Sequence, residues 1–170
     1  MDYHGAKSAG IAGILAGVAL AGELTLFTMS GFAPDTFNDA AGALAFLRDH
    51  GAYLRAAVVF GAVGVALTIL FLTGLAAHLR DKTPMRAAAT LYFGLLGNVG
   101  DGLVALSFWL GLPAFVTLSA RDQAAATNAW GAFKAITDGF GGFGSFLLGL
   151  SLLAAGLAII ARRALPRILG

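Results

Sequence analysis

The sequence predicts an all-α integral membrane protein, a four-helix bundle with one or two short surface or interfacial helices. Of its 170 residues, 58% are hydrophobic and only 12% are charged, and the mean hydropathy is +0.83. Soluble domains are about half apolar and a quarter charged, so this chain has too few charges to cover a globule of its size. Four long apolar stretches suit membrane helices, and no series of short alternating strands suggests a barrel.

The four predicted spans follow one another within a single domain, residues 1–170. Each is near the roughly 20 residues that a helix needs to cross a hydrocarbon core of about 30 Å. Glu23 is the only strongly charged residue in the first span, and Asn98 and Asp101 interrupt the third, whereas the other two carry no charge. The spans cover residues 8–29, 56–77, 87–112 and 139–161.

Short polar segments and aromatic residues mark the predicted span ends. The turn "HLRDKTPMR" (residues 78–86) contains Pro84, and Pro113 is expected to close the third span because proline lacks a backbone N–H. Trp109 and Trp130 fall near span ends, where amphipathic rings favour the boundary between lipid and water.

Two longer connections predict the short surface helices, residues 36–50 and 123–137. Pro34 precedes the first, and Asp122 is suited to cap the second. Both fit helices that lie on the membrane or fold over the bundle, although the second also fits the first turns of a longer fourth helix. Each carries apolar residues near helical spacing, Phe37, Ala41, Leu44 and Leu47 in the first and Trp130, Phe133, Ile136 and Phe140 in the second.

The distribution of Lys and Arg predicts that both termini are cytoplasmic, because cytoplasmic loops carry an excess of these residues. A cleaved signal peptide ending near residues 19–21 is the alternative, and it would leave three spans. The apolar stretch continues past that point, which favours a spanning helix. The side of the termini carries Lys7, Arg80, Lys82, Arg86, Arg162, Arg163 and Arg167, and the other side carries Arg48, Arg55, Arg121 and Lys134.

The acidic residues within the spans define the candidate functional site. Glu23 and Asp101 lie 15 and 14 residues into spans that run in the same direction. At 1.5 Å per residue both fall about 21–23 Å from the cytoplasmic start of their helix, in the outer third of the membrane. Polar residues near the same level complete a candidate intramembrane polar cluster, which comprises Glu23, Asn98, Asp101, Arg55, Lys134 and Asp138.

Two interpretations of this cluster stay open, a polar contact that holds helices together and a site for a proton, a cation or a small polar ligand. A charge at the bilayer centre costs about 2.5–3.5 kcal/mol, so the acids are expected to face the bundle and to pair with Arg55 or Lys134. The Asn98 amide is suited to donate to Asp101 or to bridge two helices. Purely structural hydrogen bonds of this kind contribute about 0.6 kcal/mol each.

No catalytic residue, cofactor or metal site is predicted, and the protein is not expected to be an enzyme. The chain has no cysteine, which excludes thiolate chemistry and iron–sulfur clusters. The glycines of "GFGGFGSFLLG" (139–149) lack the strand and the Lys-Ser/Thr pair of a phosphate loop and favour close helix packing, within the chain or in a homo-oligomer. No basic run is dense enough for nucleic acid.

Two segments resemble a family of bacterial multi-pass membrane proteins that has no assigned activity. They are "FNDAAGALAFLRDHGAYLRAAVVFGAVGVALTILFLTGL" (37–75), with its Asp-Ala-Ala stretch and its Arg before the span, and "GSFLLGLSLLAAGLAIIARRALPRILG" (144–170), which ends in a Pro-Arg-Ile-Leu-Gly turn. The resemblance implies the architecture and a bacterial inner (cell) membrane. It implies no chemistry, so no functional residues are carried over.

Three functions remain open on the sequence alone. The first is a non-enzymatic structural or accessory protein of the lipid bilayer, self-associating through its glycine-rich faces. The second is a small proton, cation or polar-solute transporter or channel component in which Glu23 and Asp101 form the site. The third is a ligand-binding or sensing module at the outer face, capped by the predicted 36–50 helix.

Overall fold

The computed structural model describes residues 3–162, and over that range the chain is all-α with no strand. All four long helices are apolar enough to cross a membrane. This confirms the predicted class, an all-α multi-pass membrane protein. The elements are α1 (Tyr3–Met29), a short 3₁₀ helix (Pro34–Phe37), α2 (Ala40–Leu79), α3 (Pro84–Arg121) and α4 (Gln123–Arg162).

The separate surface helices predicted at 36–50 and 123–137 are wrong. Most of the first segment is the start of α2, and the second is the start of α4, which agrees with the alternative of a longer fourth helix. Neither α2 nor α4 contains a proline. Gly51 costs about 1 kcal/mol relative to alanine in a helix interior. Burial of the neighbouring apolar side chains, Leu47 and Leu54, offsets that cost.

Helix α3 also runs further than predicted, because Pro113 does not end it. The helix continues to Arg121 with Pro113 exposed on its surface. Proline removes only one backbone donor, and neighbouring turns can hold a helix together across it. One turn later the Thr117 hydroxyl donates to the Pro113 carbonyl at 2.9 Å.

Aspartates cap the starts of α2 and α4. The backbone N–H of Ala125 donates to Asp122 Oδ1 at 2.9 Å, which confirms the predicted cap. At the start of α2 the Gly42 N–H donates to Asp39 Oδ2 at 2.7 Å.

Three helices are about twice as long as a hydrocarbon core is thick. Helices α2 and α4 have 40 residues and α3 has 38, so each is about 57–60 Å long. One end of the bundle, which we call the loop end (residues 30–55 and 112–135), therefore projects beyond the apolar spans. Its core includes Trp130, which is only 2% exposed, so that ring packs inside the protein and does not face lipid. Trp109, the other tryptophan near a predicted span end, is 44% exposed.

The helices pack in chain order, each antiparallel to the one before it. Helix α1 packs along α2, α2 along α3 and α3 along α4, with a smaller contact between α2 and α4. By contrast, α1 makes at most marginal contact with α3 or α4. The bundle is therefore left open between α1 and α3.

Glycines bring α3 and α4 close together. A Cβ atom at Gly97 would lie 2.8 Å from the Gly144 carbonyl oxygen, and one at Gly100 would lie 2.9 Å from the Gly144 Cα. Such distances are too short for a side chain, so the backbones touch, as small residues allow in membrane helices. Other glycines have open space beside them, among them Gly10 and Gly17 of α1 and Gly142 and Gly149 of α4.

Candidate functional site

A cavity of about 370 Å³ lies in the gap between α1 and α3. Helix α2 forms its back wall, and Gly141 of α4 and two rings from the connection between α1 and α2 complete the lining. Glu23 and Asp101 both line it, and every other lining residue is apolar. The sequence-predicted acids therefore share one internal space.

Glu23 is directed toward α2 by the small-residue face of α1. Ala16 and Ala19 of that face are buried, and Glu23 itself is half-buried. Across the interface stands Gly61, where a Cβ atom would lie only 2.6 Å from Glu23 Oε1. The absence of a side chain at position 61 makes room for the carboxyl group.

Asp101 packs against a glycine of α4 in the same way. It is half-buried on α3, and a Cβ atom at Gly144 would lie 2.6 Å from its Oδ1 oxygen. Each acid thus lies against a glycine of a neighbouring helix, Gly61 for Glu23 and Gly144 for Asp101.

The two carboxyl groups are close along the bundle and make no hydrogen bond with the described residues. On α2, Glu23 faces Gly61, and Gly102, the neighbour of Asp101, faces Val65. Gly61 and Val65 are one helical turn apart, so the two acids lie at levels that differ by about 6 Å along α2. Both side chains line the same cavity, so two negative charges there would repel each other. Within the described part of the chain, every fully enclosed side-chain nitrogen or oxygen has a partner. The unpartnered carboxyl oxygens are therefore accessible, and the cavity is the space that both side chains line.

Asn98 does not join this pair. It is 2% exposed, and its Nδ2 donates to the Gly94 carbonyl of its own helix at 2.7 Å. The expected hydrogen bond to Asp101, or to another helix, is wrong, because the amide satisfies the nearer backbone carbonyl one turn earlier.

The outer charged residues of the predicted cluster also lie elsewhere, and the expected pairing of the acids with Arg55 or Lys134 is wrong. Arg55 is exposed, and its Nε donates to the Gly51 carbonyl at 3.3 Å. Lys134 forms an ion pair with Asp138, one turn away on α4. No Lys, Arg or His is found among the cavity-lining residues, all of which are described, so the two acids have no counter-charge there.

Aromatic rings, which the sequence analysis did not assign to the site, cover the loop end of the cavity. Phe27, Phe32, Phe37 and Phe108 all line it. The Phe37 and Phe108 rings stack with centroids 5.9 Å apart, and Trp130 Nε1 donates to the Phe37 carbonyl at 3.4 Å. Helical spacing in the sequence could have indicated two of these rings. Phe27 lies four residues after Glu23 and Phe108 lies seven after Asp101, so each ring shares a helix face with one of the acids.

Comparisons with known proteins give no relative from which a role could be transferred. No protein-family model matches the chain, and neither the curated proteins nor the solved structures contain a match. The resemblance noted in the sequence stays a prediction, and the cavity is the feature that bears on function.

The chemistry open to this cavity is proton and cation binding. A carboxyl group in an apolar space can accept a proton or neutralise one positive charge, and here two such groups lack a partner within residues 3–162. Among the described residues no group of three or more His, Asp or Glu side chains could hold a metal ion.

Proposed function

We propose that this protein is a small membrane transport component in which Glu23 and Asp101 form the binding site for a proton or a cation. One observation carries the proposal: both carboxyl groups line one cavity between α1 and α3 and have neither a hydrogen-bond donor nor a counter-charge among the described residues. Ionisable groups within membrane spans that face an internal cavity commonly mark ion or substrate pathways.

A purely structural or accessory protein explains this arrangement less well. Polar groups that hold helices together do so by hydrogen bonding across the interface, as Ser151 Oγ does to the Thr90 carbonyl at 2.7 Å. Glu23 and Asp101 make no such bond within the described residues, so they contribute no comparable helix contact. The outward-facing glycines leave self-association as an additional expectation.

We further infer that the protein resides in a bacterial inner membrane with both termini cytoplasmic. The excess of Lys and Arg on the side of the termini supports this orientation, although Arg163 and Arg167 of that set lie outside the described residues. In this orientation the loop end is exported, and the cavity lies in the outer part of the membrane.

The proposal is tested by ion flux in liposomes that contain the purified protein. A potassium diffusion potential drives proton entry, which an internal pH dye reports, and uptake of radioactive Na⁺ and methylammonium is measured in parallel. Flux above that of protein-free liposomes is expected, and Glu23→Gln and Asp101→Asn should lower it at least tenfold.

Asp49→Asn is the matched control, because Asp49 is an exposed acid outside the cavity. Its flux should equal that of the parent protein. The proposal fails if no tested ion moves faster than through protein-free liposomes, or if both site variants elute as folded protein and conduct like the parent.

A further inference from the structure

We propose that the ligand of this cavity is a hydrophobic organic cation, an ammonium group attached to an apolar or aromatic body. This inference rests on the proposed function and goes beyond it by naming the ligand class. It follows from the size of the cavity, the composition of its walls and the side on which it is open.

The cavity is too large and too poor in oxygen for an inorganic cation. Its volume of about 370 Å³ lies in the range of small-molecule pockets, roughly 300–1,000 Å³. Hard metal cations take about six to eight oxygen ligands at 2–2.6 Å. Here only two side chains, Glu23 and Asp101, supply oxygen, because no other lining side chain carries a hydroxyl, amide or carboxyl group.

The apolar walls match the body of such a ligand, and the aromatic rings match its charge. Phe27, Phe32, Phe37 and Phe108 stand at the loop end of the same cavity whose walls carry the two carboxyl groups. An ammonium group is attracted both to carboxylates and to the faces of aromatic rings within about 6 Å, and most strongly where water is excluded. An inorganic cation would leave most of this lining unused.

The open side of the cavity lies where a membrane-soluble ligand would arrive. Helix α1 packs along α2 and makes at most marginal contact with α3 or α4, so helix packing does not close the gap that holds Glu23 and Asp101. Leu20, at the edge of this gap, is 46% exposed. A cation with an apolar body partitions into the bilayer and reaches this gap directly, whereas a hydrated metal ion does not.

Titration calorimetry of the purified full chain in detergent, with empty micelles subtracted, tests the proposal. The probes are benzyltrimethylammonium, its neutral carbon isostere 2,2-dimethylpropylbenzene, and tetramethylammonium. We expect benzyltrimethylammonium to bind at least tenfold more tightly than the neutral isostere, which lacks the charge, and than tetramethylammonium, which lacks the ring. Excess Na⁺ or K⁺ at constant ionic strength should not displace it.

Site variants connect binding to the cavity. Glu23→Gln and Asp101→Asn should each weaken benzyltrimethylammonium binding about tenfold or more, and Asp49→Asn should not. Phe108→Leu keeps an apolar side chain but removes the ring, so it should weaken binding about threefold or more. If one acid variant fails to fold, the other supplies the measurement.

The outcomes separate this inference from the proposed function. The ligand class is wrong if the neutral isostere binds as tightly, if Na⁺ or K⁺ competes equally, or if no probe binds while proton flux still depends on both acids. In the last case the proton or cation site stands without an organic ligand. Loss of both the binding and the flux dependence on the acids overturns the two proposals together.

Discussion

The carboxyl group of Asp101 lies directly against Gly144 of the neighbouring helix. A Cβ atom at position 144 would be 2.6 Å from Asp101 Oδ1, 2.8 Å from the Gly97 carbonyl oxygen and 3.1 Å from the Asp101 backbone nitrogen. The carboxyl group is flexible and can move, whereas the two backbone atoms cannot move without separating α3 from α4. A side chain at position 144 would therefore disturb both the packing of α3 against α4 and the position of the Asp101 carboxyl group.

Gly144→Ala should lower the free energy of unfolding by about 1–3 kcal/mol, the usual cost of adding a methyl group to a tightly packed interface. Reversible unfolding in sodium dodecyl sulfate, followed by circular dichroism, measures the change. Gly142→Ala is the matched control, because a Cβ atom there would meet no described atom within 4 Å beyond its own stretch of helix and alanine favours helix by up to about 1 kcal/mol. Equal stability of the two variants would contradict the close contact.

Ser151→Ala should lower the free energy of unfolding by about 0.6 kcal/mol, and by no more than about 1.7 kcal/mol. The substitution removes the buried hydrogen bond from Ser151 Oγ to the Thr90 carbonyl, which connects α4 with α3 at 2.7 Å. The same unfolding assay applies, with Ser145→Ala as the control because Ser145 is exposed. A loss as large for Ser145→Ala as for Ser151→Ala would argue against a bond specific to this interface.

The helical class of the chain could be read from the sequence, but the helix ends and the surroundings of the two acids could not. Apolar length alone predicts four spans, whereas the continuity of α2 through Gly51 depends on burial of Leu47 and Leu54, which is a tertiary effect. Pro113 signals a helix end in water and is tolerated here within α3.

The cavity lining could be predicted only within each helix. Periodicity places Phe27 on the face of Glu23 and Phe108 on the face of Asp101. It cannot predict that Gly61 stands opposite Glu23, because the register between α1 and α2 is set by packing across the whole interface. Charge alone favoured Arg55 as a partner of the acids, yet its guanidinium group bonds to its own helix.

Trp130→Ala should lower the free energy of unfolding by about 3–5 kcal/mol, the usual cost of removing a buried large aromatic side chain. The Trp130 ring is 2% exposed, and it contacts the rings of Phe37, Phe115 and Phe133 with centroids 5.3–5.5 Å apart. Trp109→Ala removes the same side chain from a site that is 44% exposed and should change stability by about 0.5 kcal/mol or less. Comparable losses for the two variants, measured by thermal unfolding in detergent, would contradict a packed core at the loop end.

The orientation can be tested by cysteine labelling, because the chain has no cysteine of its own. In intact bacteria a membrane-impermeant maleimide should label Asp49→Cys, at the loop end that we propose is exported, and should label Asp81→Cys only after the cells are opened. Both positions are exposed. Phe143→Cys, 55% exposed on the apolar part of α4, should label poorly in either case because thiolate formation needs water. The reverse labelling of positions 49 and 81 would invert the proposed topology.

Glu23→Gln and Asp101→Asn should leave the melting temperature of the ligand-free protein unchanged or raise it. The amide side chains keep nearly the same shape and lose no hydrogen bond, because neither carboxyl group makes one within the described residues. They also remove a charge from an apolar cavity and the repulsion between the two acids. Binding sites often retain such unfavourable groups because the ligand compensates them.

The double variant extends this test, because two charges that repel each other need not contribute independently. Once one acid is neutral, the repulsion is gone, so the second neutralisation should raise the melting temperature by less than it does alone. Thermal unfolding of the parent, the two single variants and the double variant in one detergent gives this comparison. A fall of several degrees in either single variant would instead assign the acids a structural role, since groups that hold helices together lose stability when they are replaced.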